Sequence, residues 1–163
     1  LVTRSGLEVD VDVPSAAHRS FALSSMVRQL HTVPGPRDLG HREFRDLVAV
    51  LESRWDDPSV DALVALDPSD PWLIMGLVLG MPSAGDSPPV LTYLHVRGGF
   101  RGLGLGTLLA SLLGITHGVP TLVEFPTWDL IREREGRDHP VGLLHNPHWD
   151  LTMVTPRTGS VTA

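Results

Sequence analysis

Val96-Arg97-Gly98-Gly99-Phe100-Arg101-Gly102-Leu103-Gly104-Leu105-Gly106 carries more information than any other segment of this 163-residue chain. An apolar run over residues 90–96 leads into it. A leucine-rich pattern over residues 105–113 leads out, with Leu105, Leu108, Leu109, Leu112 and Leu113 at helical spacing. The order is therefore strand, glycine-rich turn, helix. Glycine lets backbone approach a ligand because no Cβ stands in the way. The helix behind the turn offers free N–H groups and the positive end of its dipole. Together these predict a site for a phosphate or pyrophosphate.

Several glycine-loop classes compete for this segment, beside a plain turn that holds no ligand. A P-loop needs Gly-x-x-x-x-Gly-Lys-Ser/Thr, and the chain contains no lysine. A dinucleotide-binding loop needs G-x-G-x-x-G after the first strand of a βαβ unit. Gly102, Gly104 and Gly106 are spaced G-x-G-x-G, past mid-chain, with no second βαβ repeat behind them.

Arg101-Gly102-Leu103-Gly104-Leu105-Gly106 fits Arg/Gln-x-x-Gly-x-Gly/Ala, and it resembles motif A of the GNAT N-acetyltransferase superfamily. Tyr93-Leu94-His95-Val96 is similar to that family's fourth strand, and Phe100 fills the aromatic position before the Arg. The resemblance spans roughly residues 7–146. It implies a GNAT-like α/β (α+β) fold: a mixed, mostly antiparallel sheet flanked by helices and splayed at strands 4 and 5. It implies acetyl-CoA, or another acyl-CoA, as cosubstrate. Backbone of Leu94 and Val96 would pair with the pantetheine arm as an added strand. The loop of Gly102, Leu103, Gly104, Leu105 and Gly106, with Thr107, would cradle the pyrophosphate. Arg101 would hold the loop or offset phosphate charge.

The implied reaction is direct attack of an amine on a thioester, which needs a proton acceptor, an oxyanion donor and an acid for the leaving thiolate. Glu124, on the fifth strand, and His95, on the fourth, are the candidate acceptors. A solvent-facing carboxylate and a packed histidine are the plain structural alternatives. The chain departs from the family in its only tyrosine: Tyr93 precedes the loop, whereas many members carry an acidic Tyr after the fifth strand. Protonation of the leaving thiolate is then left to His145 or solvent, or does not occur at all. The family's usual ending is missing as well. His145-Asn146-Pro147-His148-Trp149, with Ser24-Ser25 near the N-terminus, resembles small GNAT-like proteins of phage genomes. His139, His145 and His148 match no known metal spacing, so no metal is expected.

The other elements follow from periodicity. Residues 7–13 alternate apolar and acidic, a half-exposed strand. Ser15 caps a helix over residues 16–30, and residues 32–40 form a loop. Residues 41–55 form an amphipathic helix with Phe44, Leu47, Val48, Leu51 and Trp55 on one face. Residues 60–66 and 72–79 predict an antiparallel hairpin around Asp67-Pro68-Ser69-Asp70-Pro71. Short strands are expected at 121–125 and 141–144, a short helix at 128–135, and a frayed tail over 156–163.

Length predicts a single domain over residues 1–163, with its core at about 7–150. There is no cysteine, hence no disulfide or thiolate chemistry. No apolar run approaches the ~20 residues of a membrane span, and no leader-like segment opens the sequence, so the expected setting is cytoplasmic. A net charge of -6 argues against generic nucleic-acid binding. The leading expectation is an acyl-CoA-dependent N-acyltransferase acting on a small-molecule or peptide amine, with homodimer formation left open. The alternatives are a non-catalytic GNAT-fold binding or structural protein, phage-related in type, and a nucleotide-binding α/β protein.

Overall fold

The computed structural model describes residues 1–33, 36–116 and 119–124, with the backbone of 143–145. Its elements run β1 (Asp10–Asp12), α1 (Ala16–Leu30), α2 (His41–Arg54), β2 (Asp61–Asp67), β3 (Asp70–Met81), β4 (Val90–Val96), α3 (Leu105–Leu112), β5 (Thr121–Val123) and β6 (Leu143–His145). The strands form one sheet in the order β1-β2-β3-β4-β5-β6. The first three pairings are antiparallel; β4–β5 and β5–β6 are parallel. This is the mixed, mostly antiparallel sheet that the sequence predicts.

Local signals set most boundaries. Ser15 Oγ accepts from His18 N–H, and His18 Nδ1 accepts from Ser15 N–H, a reciprocal cap that starts α1 where predicted. Such a cap is worth about 1 kcal/mol. Pro68 and Ser69 turn β2 into β3, with Asp67 Oδ1 accepting from Ser69 N–H and Oγ–H. Residues 74–80 of β3 are all buried, as expected of a central strand with helices on both faces.

Two apolar clusters fill the two sides of the sheet. On one side α1 and α2 contribute Ala22, Met26, Leu30, Leu47 and Leu51 against Val64, Leu77, Leu79 and Tyr93. On the other side Leu105, Leu109 and Leu113 of α3 and its C-terminal end pack on Met75, Val78 and Leu91. Gly76 permits this approach: a Cβ there would lie 3.1 Å from Leu109 Cδ1 and 3.2 Å from Leu105 Cδ2.

The structure corrects some expectations. The first strand is shorter than residues 7–13, because residues 1–9 fold back on themselves: Thr3 N–H donates to Leu7 C=O and Val9 N–H to Leu1 C=O. Leu112, assigned to the apolar face of its helix, is 44% exposed, since α3 ends there and the chain turns away at Gly114 (φ 76°). The predicted helix at 128–135 and the tail over 156–163 lie outside the described residues.

Candidate acyl-CoA site

The site grows out of a bulge in β4. Leu79 pairs with Tyr93 and Gly80 with Leu91, so Thr92 has no partner on β3. An extra residue of this kind inverts which backbone groups face which edge. Before it, the carbonyls of Pro89 and Leu91 accept from Leu122 and Glu124 N–H, on the β5 side. After it, Arg97 N–H donates to Met75 C=O, on the β3 side. Backbone direction alternates along a strand. The N–H and C=O groups of Leu94 and Val96 therefore point away from β3, toward the β5 side.

Among the described residues, β5 does not meet them there. Its register with β4 is Val90↔Leu122 and Leu91↔Val123, and it ends at Val123. Among the described residues the two strands pair only at one end, and the bulge at Thr92 turns the later backbone groups of β4 away from β3. Gly80 makes the bulge possible, because a Cβ there would overlap the Val90 carbonyl oxygen.

The glycine loop leaves β4 at this open end. Residues 98–100 form one 3₁₀ turn, and Gly102 and Gly104 adopt left-handed φ values of 75° and 78°. Gly104 is the N-cap of α3, whose first helical bond runs from Leu108 N–H to Gly104 C=O at 3.0 Å. The N–H groups of Leu105, Gly106 and Thr107 come before that bond, where a helix has donors to spare. No atom lies within 4 Å of a Cβ built on Gly98, Gly99 or Gly102. This combination of open backbone and surplus donors suits the pyrophosphate of a CoA thioester. Of the two roles weighed for Arg101, loop-holding has a visible bond: its Nε–H donates to Val96 C=O at 3.0 Å.

A second brace escaped the sequence reading. Ser5 Oγ–H donates to Leu103 C=O at 2.7 Å, across 98 residues of chain. Thr3 supports Ser5 from a buried position: its Oγ1 lies 3.0 Å from Ser5 Oγ and accepts from Leu7 N–H. Thr3 Cβ would stand 3.7 Å from a Cβ on Gly104. The N-terminal turn thus seats the loop from behind.

Glu124 follows β5 directly and is only 3% exposed, so it is no solvent-facing carboxylate. Its Oε1 accepts from Arg54 Nη2–H at 2.9 Å and its Oε2 from the Thr92 hydroxyl at 2.7 Å. Arg54, the last residue of α2, also reaches Asp57 at 3.5 Å. Burial pushes the Glu124 carboxyl above its ordinary value, against the opposing pull of Thr92 and Arg54. A buried carboxyl with a raised pKa holds a proton more readily than an ordinary one, which suits a proton acceptor. The bulged residue thereby links the strand geometry to the ionisable group.

His95 is half-buried on the face shared with Tyr93; the rings are 6.3 Å apart and nearly parallel. Its Nδ1 lies 2.9 Å from Gln29 Nε2 in the last turn of α1. Tyr93 itself is 2% exposed inside the α1/α2 cluster. The backbone of His145 pairs with Val123 at the end of β6. His139 and His148 lie outside the described residues, among which no group of three or more His, Asp or Glu could hold a metal ion. No described helix is long and apolar enough to cross a membrane.

No protein-family profile and no curated protein matches the chain. Solved structures do. A putative acetyl transferase from Pyrococcus furiosus aligns over 96% of this chain and 95% of its own, at 16% identity and a TM-score of 0.49. A GNAT-family acetyltransferase from Staphylococcus aureus aligns over 65% of this chain and 63% of its own, at 12% identity and a TM-score of 0.45. An aminoglycoside 6'-N-acetyltransferase complexed with coenzyme A aligns over 64% and 52%, at 18% identity and a TM-score of 0.42. At this level the likeness is one of outline, and the chemistry has to be read from this chain's own residues.

Proposed function

We propose that this protein is a GNAT-type acyl-CoA-dependent N-acyltransferase, moving an acetyl group from acetyl-CoA to a small-molecule or peptide amine. The observation that carries the reading is the continuity of three features. A stretch of β4 whose outer edge meets no strand among the described residues runs into an open glycine loop, which runs into the N-terminus of α3. A strand-like pantetheine arm and a pyrophosphate need these surfaces in that order.

Each residue of the site has a part in this reading. The edge of Leu94 and Val96 orients the pantetheine arm by backbone pairing. The amides of the loop from Gly102 to Gly106, with Thr107, hold the pyrophosphate, and Arg101 keeps the loop in register. The bound cosubstrate supplies the activated thioester. Glu124 and His95 handle protons and polarity on the two strands that part around it. The same proposal takes residues 1–163 as one domain in a cytoplasmic setting, where acyl-CoA thioesters are made, and with homodimer formation open.

One observation favours a second reading, a non-catalytic GNAT-fold binding protein. The only phenol of the chain is packed in the core on the α1/α2 side, so it is no free acid for a leaving thiolate. Thiol release separates the two. Acetyl-CoA offered with a broad panel of amines should give slow amine-dependent release above the rate without protein. Tight CoA binding with no amine-dependent release across the panel would establish the second reading.

A further inference from the structure

The bulge in β4 redirects side chains as well as backbone. Along an unbroken strand successive side chains alternate between the two faces of the sheet. Around Thr92 they do not. Leu91 and Leu94 pack with the α3 cluster, three residues apart, and Tyr93 between them packs with the α1/α2 cluster. Thr92 reaches Glu124, whose other partner, Arg54, ends α2, so Thr92 faces the α1/α2 side too. The extra residue of the bulge thus sets two consecutive side chains, Thr92 and Tyr93, on one face. A polar threonine is 0% exposed there, and its hydroxyl lies 2.7 Å from Glu124 Oε2.

A threonine hydroxyl has one proton to give, and an ionised carboxylate only accepts. With Arg54 on Oε1, each oxygen of Glu124 receives a donor, one charged and one neutral. Bonds given to the charged form favour it, against the burial that disfavours it. From this geometry we infer that Thr92 is a positioning residue for proton transfer: its hydroxyl orients the Glu124 carboxyl and keeps it ionised, ready to take the amine's proton. That proton leaves the nitrogen as its bond to the acyl carbon forms, and the C–S electron pair departs with the thiolate. Among the described residues, the end of α2 brings Arg54 against Glu124, with Asp57 just beyond it opposing ionisation. β4 brings the neutral Thr92, with Tyr93 and His95 further along the same face. The role in transfer rests on the acyltransferase reading, while the coupling of Thr92 to Glu124 can be measured without any ligand.

Carboxyl 13C NMR of glutamate-labelled protein, free of CoA, follows Glu124 through its titration. Its signal is identified by its loss in Glu124→Gln. Thr92→Val exchanges the hydroxyl for a methyl and keeps the β-branched shape that suits a strand. The Glu124 midpoint should rise in this variant and stay near the parent's in Thr92→Ser, which keeps the hydroxyl. Thr92→Ala also removes the donor, with less crowding, and gives the same reading if the Val variant unfolds. An unchanged midpoint in the folded variants that lack the hydroxyl would overturn the inference.

Kinetics then tests the role in transfer. The pH dependence of kcat/KM reports the essential groups of the free enzyme. A carboxylate acceptor loses rate as pH falls through its pKa, so raising that value moves the acid limb to higher pH. Thr92→Val should therefore lose at least about tenfold in kcat/KM on the acid side and recover toward the parent as pH rises. Affinity for CoA should be unchanged, and Thr92→Ser should follow the parent. A threonine that only packs would change Tm and leave the limb in place. A raised midpoint with an unmoved limb would refute the role in transfer. Failure of the parent protein to bind CoA would instead count against the acyltransferase reading and leave the titration result standing.

Discussion

Val90 and Leu91 are held on both edges, by β3 and by β5, whereas among the described residues Leu94 and Val96 of the same strand have only β3 as a strand neighbour. The two segments belong to one strand. They differ because Thr92 is bulged between them, which flips the backbone polarity and turns the later groups away from β3. One half of the strand is thus a structural joint and the other a binding edge. A single inserted residue, matched by a single glycine on the neighbouring strand, is enough to produce both.

The largest expected effect comes from attacking the joint. Gly80→Ala would set a Cβ into the Val90 carbonyl, which is backbone and has no rotamer by which to escape. Overpacking of this kind costs about 1–3 kcal/mol, or more where backbone must move. In a chain of this size that is a fall of roughly 2–4 °C in Tm per kcal/mol. Thermal unfolding checks it, and a melting curve like the parent's would mean that the bulge does not need Gly80.

The open half should respond in the opposite way. Thr107 is exposed in the first turn of α3. A carboxylate there favours the helix dipole, by about 0.3–1 kcal/mol, yet occupies and repels the place of a phosphate. Thr107→Glu should keep or raise Tm and weaken CoA binding by tenfold or more. Calorimetry alongside the melt reads both. Gly104→Ala is a less clean probe, since its left-handed φ of 78° carries a penalty of roughly 1–2 kcal/mol for any L side chain.

The junction between the halves has a pH signature. The Glu124 carboxyl is raised above its ordinary 4.5, so the folded state binds its proton more tightly than the unfolded chain does. Its stabilising contribution is present below the ordinary value and is lost as pH rises through the raised one. The half-buried Asp57 and Asp67 behave conversely. Ser59 and Ser69 hold them below their ordinary 3.8, so their contribution is present above it and lost as pH falls. The Tm difference between parent and Glu124→Gln should therefore move against the parent as pH rises from the ordinary 4.5 through the raised value. A flat difference would show that Glu124 titrates as it does in the unfolded chain. If Glu124 accepts the amine's proton, the same variant should also lose about 10²–10⁴ in rate, with CoA affinity little changed.

The smallest effect belongs to the loop's rear support. Ser5→Ala removes one hydrogen bond to Leu103 C=O at an exposed position. Such a bond contributes about 0.5–1.5 kcal/mol at most. Tm should barely change, and CoA should bind a few-fold more weakly because the loop is less well held. Affinity equal to the parent's would make the N-terminal turn irrelevant to the site.

Which of these features could be read in the sequence follows from their range. Ser15 lies next to the helix it caps, and the loop glycines sit within a few residues of one another, so α1, β4 and the start of α3 were legible. The hairpin was legible because Asp67-Pro68-Ser69-Asp70 is a local turn signal. The bulge was not, since Thr92 interrupts no alternation in a strand buried on both sides; Gly80 was its one faint sign. Ser5 acts across 98 residues and Arg54 across 70, separations at which neither periodicity nor spacing speaks. For that reason the sequence left Glu124 open between a proton acceptor and a solvent-facing strand carboxylate. Gln29 was invisible for the same cause: a glutamine near a helix end looks like any solvated residue until the helix is docked on β4.

Backbone NMR during a titration with CoA tests the central claim most directly. The account predicts that the amides of Leu94, Val96, Gly102, Gly104, Leu105, Gly106 and Thr107 shift together and saturably, with Val90 and Leu91 little changed and with NAD and ATP producing no such pattern. No shift at millimolar CoA, or shifts confined to the distant groove between Ser15, Trp55 and Leu112, would contradict it.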